Sequence, residues 1–238
     1  MTKRILFIGD SITEGKIGVG YVDIIQHNFP EFQCKNYGRG GDTVSGVFTR
    51  LLKILKTHTE KYDIVVIEAG HNDLFLPYVK MKWKFTSIRK VTPLSKIKDL
   101  YDNGLRAVSQ HTKAKIIVTT LSCLGEDVSS SINQKRRSVN AQIKEVGAKY
   151  GAYVAEVSLF FDKILRKCIS SYTLIDHPLN LVLDYFRSKR INGADNISKK
   201  RGLVLTIDGG HLNSKGAIIY AREISRIIEM LTREKMKR

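Results

Sequence analysis

Cysteine is scarce: the 238 residues include three, Cys34, Cys123 and Cys168, an odd number with no Cys-x-x-Cys pair. That pattern argues against a disulfide framework and against a zinc knuckle, and it fits a reducing compartment. Long apolar runs are missing as well, since no stretch reaches the ~18–20 residues a membrane span requires. Residues Met1 to Arg4 pass straight into Ile5–Ile8, which leaves too little room for a signal h-region with a small-residue cleavage site. A cytoplasmic protein is the expectation. No internal repeat and no low-complexity linker divides the chain, and ~70% of the unfolded surface is buried at this length, so residues 1–238 are expected to form one domain. Acidic residues are few: 23 Asp and Glu against 40 Lys and Arg leave a net charge of +17. A field of that sign attracts phosphate, anionic membrane or acidic polymer without naming any of them.

What the chain does contain is ordinary globular material, 42% apolar and 26% charged. Short apolar runs recur at Ile5–Ile8, Phe32–Tyr37, Ile64–Ala69, Ile116–Thr120 and Tyr153–Val157. The third and fourth are continuous and rich in β-branched residues, as in strands covered on both faces of a parallel sheet. Between them, Val44, Val47, Phe48, Leu51 and Leu55 form an apolar stripe at helical spacing, and Val139, Ile143, Val146 and Tyr150 form another. A last helix carries Ala217, Tyr220, Ala221, Ile224, Ile227, Ile228 and Leu231 on one side. The alternation predicts an α/β sandwich of three layers around about five parallel strands. Two stretches break it, about 76–94 and 159–205, and both are expected to be insertions.

In such a sheet the working groups gather beyond the carboxyl ends of the strands. The first strand ends in Gly9-Asp10-Ser11-Ile12-Thr13, where a serine either projects into the crevice or caps the next helix. The second ends in Gly38-Arg39-Gly40-Gly41-Asp42-Thr43, glycines that permit close backbone approach and can aim a main-chain N–H, followed by two candidate helix caps. The third ends in Gly70-His71-Asn72-Asp73, which brings an amide donor suited to an oxyanion. Near the end of the chain comes Asp208-Gly209-Gly210-His211-Leu212-Asn213, whose spacing lets a carboxylate orient an imidazole that acts as a base.

These four blocks, GDSITEG, the glycine block ending in Gly41, GHND and DGGHLN, occur in order, and the chain in this respect resembles the SGNH, or GDSL, hydrolases. The resemblance implies a flavodoxin-like fold and hydrolysis of carboxylic esters or thioesters through an acyl-enzyme, as in esterases, lipases and acetylesterases. By position it implies that Ser11 is the nucleophile, His211 the base and Asp208 its orienter. The oxyanion hole would comprise the Ser11 N–H, the Gly41 N–H and the Asn72 side-chain amide, with Gly38 and Gly40 as alternatives to Gly41. No cofactor and no metal is expected. The implied substrate is a small-molecule, lipid or carbohydrate ester, and the positive charge favours an anionic one.

Rival readings are a non-catalytic, a phosphate-binding or a nucleic-acid-binding basic α/β protein. Gly9 to Lys16 looks like a phosphate loop, but five residues rather than four precede Gly15-Lys16, and Ile17 stands where a Ser or Thr belongs. Lys80-Met81-Lys82-Trp83-Lys84-Phe85 alternates cation and apolar side chain, which at period two would put lysines on one face. It reads as a solvated edge, a lid over the acyl pocket or an element that meets an anionic surface, and no nucleic-acid motif accompanies it. Residues 159–205 hold nine basic residues against four aspartates and directly precede the Asp208/His211 block, so they are expected to wall or cap the substrate site. His27, His58, His111 and His177 lack metal-ligand spacing, His71 is placed to line the pocket beside Asn72, and Cys123 is expected in the core.

Overall fold

The computed structural model describes residues 3–83, 92–168 and 178–236. Strands β1 (Lys3–Gly9), β2 (Phe32–Gly38), β3 (Ile64–Ile67), β4 (Lys115–Thr119) and β5 (Tyr153–Ala155) form one sheet in the order β2-β1-β3-β4-β5. Every pairing is parallel. The helices are α1 (Ser11–Glu14), α2 (Tyr21–Asn28), α3 (Val44–Thr57), α4 (His71–Trp83), α5 (Ile97–His111), α6 (Ser131–Lys149), α7 (Val157–Leu165), α8 (Pro178–Ser188), α9 (Gly193–Lys200) and α10 (Ser214–Met236). None of the helices among the described residues is long and apolar enough to cross a membrane.

Strand β3 shows why the sheet has two cores. All four of its side chains are buried, and because successive residues point to opposite faces, Ile64 and Val66 pack with α2, α7 and α10, around Tyr21, Phe161 and Tyr220. Val65 and Ile67 pack on the other face with α3, α5 and α6, around Leu51, Leu105 and Ile143. This is the expected three-layer α/β/α sandwich. The stripe Val44, Val47, Phe48 and Leu51 is buried on α3, with Leu55 half-buried at its margin. Thr43 is the cap of that helix, its hydroxyl accepting the Gly46 N–H.

The order 2-1-3-4-5 reverses direction between β1 and β3, and ligands in open parallel sheets bind in the crevice outside the carboxyl ends at that point. Ser11 follows β1 and Asn72 follows β3, so the topology alone brings the first and third blocks together.

One expectation fails. Residues 80–83 are not extended but belong to α4, which runs to Trp83. Alternating side chains create a strand only where a neighbouring strand accepts its main-chain bonds, whereas a helix satisfies its own backbone and propagates once nucleated. The rest of the alternating run, 84–90, lies outside the described residues. Within 159–205 the chain forms the end of α7, then α8 and α9, and 169–177 also lies outside the described residues. A buried ion pair joins α6 to α7: the fully enclosed Arg136 donates from Nη2 to Asp162 Oδ1 at 2.6 Å, from Nη1 to the Leu121 carbonyl and from Nε to Asn133.

Candidate active site

At the end of β1 the chain turns directly into α1. Asp10, not Ser11, caps that helix, its Oδ1 accepting the Ile12 N–H at 2.9 Å. The Ser11 hydroxyl is thereby left for another partner, and it lies 3.1 Å from His211 Nε2. The other ring nitrogen, Nδ1, lies 2.7 Å from Asp208 Oδ2. The second carboxylate oxygen of Asp208 accepts the main-chain N–H of His211 at 2.8 Å and that of Gly210 at 3.0 Å. With Nδ1–H donating to the carboxylate, Nε2 is the acceptor for the Ser11 O–H.

The electrostatics follow this geometry. Burial works to raise the Asp208 carboxyl, but the His211 charge and the hydrogen bonds from His211 and Gly210 outweigh it and hold it below the usual carboxylate range. Burial works to lower His211, but the Asp208 carboxylate, with smaller contributions from Asp10 and Asp184, raises it above the ordinary imidazole value.

The loop after β2 supplies candidate main-chain donors. The Gly38 N–H is committed to Asn36 Oδ1 at 2.8 Å and the Gly40 N–H to Glu14 Oε2 at 3.1 Å. The Gly41 N–H donates to no protein group among the described residues, and of the three glycines it alone has its amide free. Gly41 is left-handed, φ +73°, and a Cβ there would meet no atom within 4 Å. Gly38 is required for a different reason: a Cβ would come within 2.1 Å of the Glu14 nitrogen, so the loop can lie against α1 only without one.

Asn72 Nδ2 donates one hydrogen to the Asp42 carbonyl at 2.9 Å, which orients the amide and leaves its second hydrogen available. Asp73 Oδ2 accepts the Val44 N–H at the start of α3. Arg50 completes the brace, donating to the Asp42 carboxylate at 2.6 Å and to the carbonyls of Tyr37 and Gly9. One guanidinium thus joins the ends of β1 and β2 to the glycine loop.

The Asp208/His211 loop is anchored from β4. Glu126 is buried after that strand and accepts the main-chain N–H groups of Val204, Leu205 and Thr206, plus the Thr206 hydroxyl, all between 2.7 and 2.8 Å. The Gly125 N–H donates to the Gly209 carbonyl at 2.7 Å. From the other side Arg201 donates to both carboxylate oxygens of Asp184 on α8 and to the Ile207 carbonyl.

Beneath Ser11 lies a buried polar network that inspection of the sequence missed. Glu68, enclosed at the end of β3, accepts from the Asp10 N–H at 3.2 Å and the Thr13 hydroxyl at 3.0 Å, and pairs with His71 Nδ1 at 2.8 Å. The Thr13 hydroxyl also meets the Tyr21 phenol at 2.9 Å. His71 Nε2 accepts the Ser122 N–H at 3.1 Å, so the ring proton sits on Nδ1. His71 therefore braces the end of β4 against β3 instead of lining the pocket.

Burial lowers His71 to about 4. It raises Asp10 well above the carboxylate range, an effect that the neighbouring Glu68 charge reinforces, and raises Glu68 against its hydrogen bonds. Asp10, Glu68 and His71 each place a ligand-type atom within 4.8 Å of the others, which is the donor set that could hold a cation. The Nδ1 proton of His71 already occupies the position facing Glu68. Cys123 lies fully buried in the core, its thiol pushed up by burial.

Residues 7–217 match the GDSL-like lipase/acylhydrolase family. No curated protein matches the chain. Among solved structures, the chain is similar to an acetyl xylan esterase, AlAXEase, at 18% identity and TM-score 0.68, covering 94% of this chain and 99% of that one. An acetylxylan esterase from Geobacillus stearothermophilus aligns at 20% identity and TM-score 0.63, covering 94% and 93%. A member of the lipolytic G-D-S-L family from Veillonella parvula aligns at 14% identity and TM-score 0.62, covering 94% and 97%. These likenesses bear on the fold, and the family match carries the assignment: the chain belongs to the GDSL-like lipase/acylhydrolase family and is a carboxylic ester hydrolase.

Proposed function

We propose that Ser11 is the nucleophile, His211 its general base and Asp208 the group that orients the ring. The observation that carries this is the continuous contact from Ser11 Oγ to His211 Nε2 at 3.1 Å and from His211 Nδ1 to Asp208 at 2.7 Å. His211 takes the Ser11 proton as Oγ attacks the acyl carbon, and it returns that proton to the leaving alcohol or thiol as the acyl-enzyme forms. A water then loses its proton to His211 and attacks the acyl carbon, and the proton passes back to Ser11 as the carboxylic acid leaves. The oxyanion in each step is held by the Ser11 N–H, the Gly41 N–H and the Asn72 amide. The uncommitted N–H of Gly41, against the engaged amides of Gly38 and Gly40, favours Gly41 in that role.

The chain functions as one domain in which the described parts of 159–205, residues 159–168 and 178–205, wall the substrate site, a reading supported by the Asp184–Arg201–Ile207 link to the catalytic loop. The three free cysteines fit a cytoplasmic setting. The substrate is an ester of a small molecule, lipid or carbohydrate. A chain-length series of p-nitrophenyl esters, run beside an acetylated xylooligosaccharide and an acyl thioester, tests both chemistry and preference. Ser11→Ala should abolish the acyl-enzyme burst, and full activity in that variant would overturn the assignment. An acetyl optimum points to a deacetylase, a longer optimum to a lipase or thioesterase.

A further inference from the structure

Helix α8 sets Leu181 against the core but leaves most of its large apolar side chains outside. A surface helix ordinarily faces its apolar stripe to the core, yet on α8 Val182, Leu183, Tyr185 and Phe186 are 57%, 44%, 38% and 66% exposed. At 3.6 residues per turn these four span an arc of about 160°. The residue on the opposite side is the charged one: Asp184 is buried, held by Arg201 at 2.6 and 3.0 Å. The rings of Tyr185 and Phe186 pack edge to face with centroids 5.1 Å apart, so the outward surface is a preformed aromatic ridge.

The rim of this ridge is cationic. Arg187, Lys189 and Arg190 are all exposed, Lys189 lies 6.0 Å from the Tyr185 ring, and Ile191 beyond them is 92% exposed. The only carboxylate between 178 and 191 is Asp184, already paired. An apolar face bordered by Lys and Arg, on a chain of net charge +17, has the composition of an element that lies in a lipid interface with its cations at the headgroup phosphates. A second copy of the chain would bring the same cations against each other. The phosphate backbone of a nucleic acid has no use for an apolar ridge.

The place of α8 gives the ridge a role. Arg201, which holds Asp184, also donates to the Ile207 carbonyl at 2.7 Å, immediately before Asp208. We propose that α8 and Lys189–Ile191 form a docking surface for anionic lipid, one that seats the catalytic edge of the sheet against a membrane. The inference rests on the ester-hydrolase reading of Ser11 for its purpose, but not for its physics.

Binding is therefore measured without turnover, on Ser11→Ala protein, by co-sedimentation with vesicles of phosphatidylcholine alone or mixed with phosphatidylglycerol, at low and high salt. The expected result is sedimentation with the mixed vesicles only, weakened by salt and reduced at least about tenfold by Val182→Ser with Phe186→Ser. The same pair of substitutions on the Ser11 protein should lower the rate on a vesicle-borne ester at least about tenfold more than it lowers kcat/KM for a soluble p-nitrophenyl ester. No sedimentation with phosphatidylglycerol, equal sedimentation by the double variant, or a dimer in solution that the double variant abolishes would each overturn the proposal. Soluble-ester hydrolysis that survives Ser11→Ala would instead refute the Ser11 mechanism and leave the docking result standing.

Discussion

His71 accepts the Ser122 main-chain N–H at Nε2 across 3.1 Å, and only a neutral ring can make that contact while giving its other proton to Glu68. Burial keeps the ring neutral by lowering it from 6.5 to about 4. Between those two values the unfolded chain binds a proton that the folded chain refuses, so stability falls as pH drops through that window. The contribution is about 3 kcal/mol. In His71→Asn the acid-side slope of urea-denaturation free energy against pH should be shallower, whereas parallel curves for the two proteins would place the slope elsewhere.

Asp10 behaves in the opposite sense. Its folded carboxyl is raised by burial and by Glu68, so the native state keeps a proton that the unfolded chain releases near the ordinary carboxylate range. That stability is present at low pH and is lost as pH rises. Asp10→Asn preserves an acceptor for the Ile12 N–H and removes the ionisation. Its urea midpoint should therefore decline less between acid and neutral pH than that of the natural protein.

In the proposed mechanism the base is neutral His211, and Asp208 outweighs burial to raise that imidazole. In the natural protein kcat/KM should climb with pH through a value above that of free imidazole. Asp208→Asn should move this limb to lower pH and reduce kcat by about 10⁴, because the ring then loses both its charge partner and its tautomer. A profile displaced to higher pH would contradict the role given to Asp208.

The pair of Arg136 and Asp162 is enclosed between α6 and α7. Asp162→Ala leaves a guanidinium buried without its carboxylate and should cost about 3–5 kcal/mol in chemical denaturation. Replacing both partners, Arg136→Met with Asp162→Leu, should cost much less, since it removes the charge as well as the pair.

The helices α3, α6 and α10 were legible because each buries one face, and burial writes a period into the sequence, as at Val44, Val47, Phe48 and Leu51, whereas β3 and β4, covered on both faces, stand out as continuous apolar runs. Helix α5 carries the same signal at Ile97, Tyr101, Leu105 and Val108. The candidate site was legible where its parts are adjacent in sequence, as in Asp208 and His211. The supports were not. Glu68 and His71 acquire meaning only when β4 brings Ser122 alongside, and Glu126 only when 204–206 returns after some 80 residues. Local signs did exist, a carboxylate within the apolar run 64–69 and an arginine in line with Val139 and Ile143, but they mark burial without naming a partner. Amphipathic spacing likewise could not say that α8 turns its apolar side outward, since periodicity is blind to which side meets the core.

Gly41 combines a left-handed backbone with open space where a side chain would begin. Any penalty for filling that space is therefore one of handedness and not of crowding. Gly41→Ala should lower stability by about 1–2 kcal/mol with kcat kept, or else relax the backbone and rotate the amide out of the proposed oxyanion hole, with a loss in kcat. A D-alanine introduced at the same position by chemical ligation carries its methyl group on the mirror-image side, where this backbone is relaxed. The handedness penalty would thus fall on the enantiomer that the ribosome supplies and not on the one that it cannot.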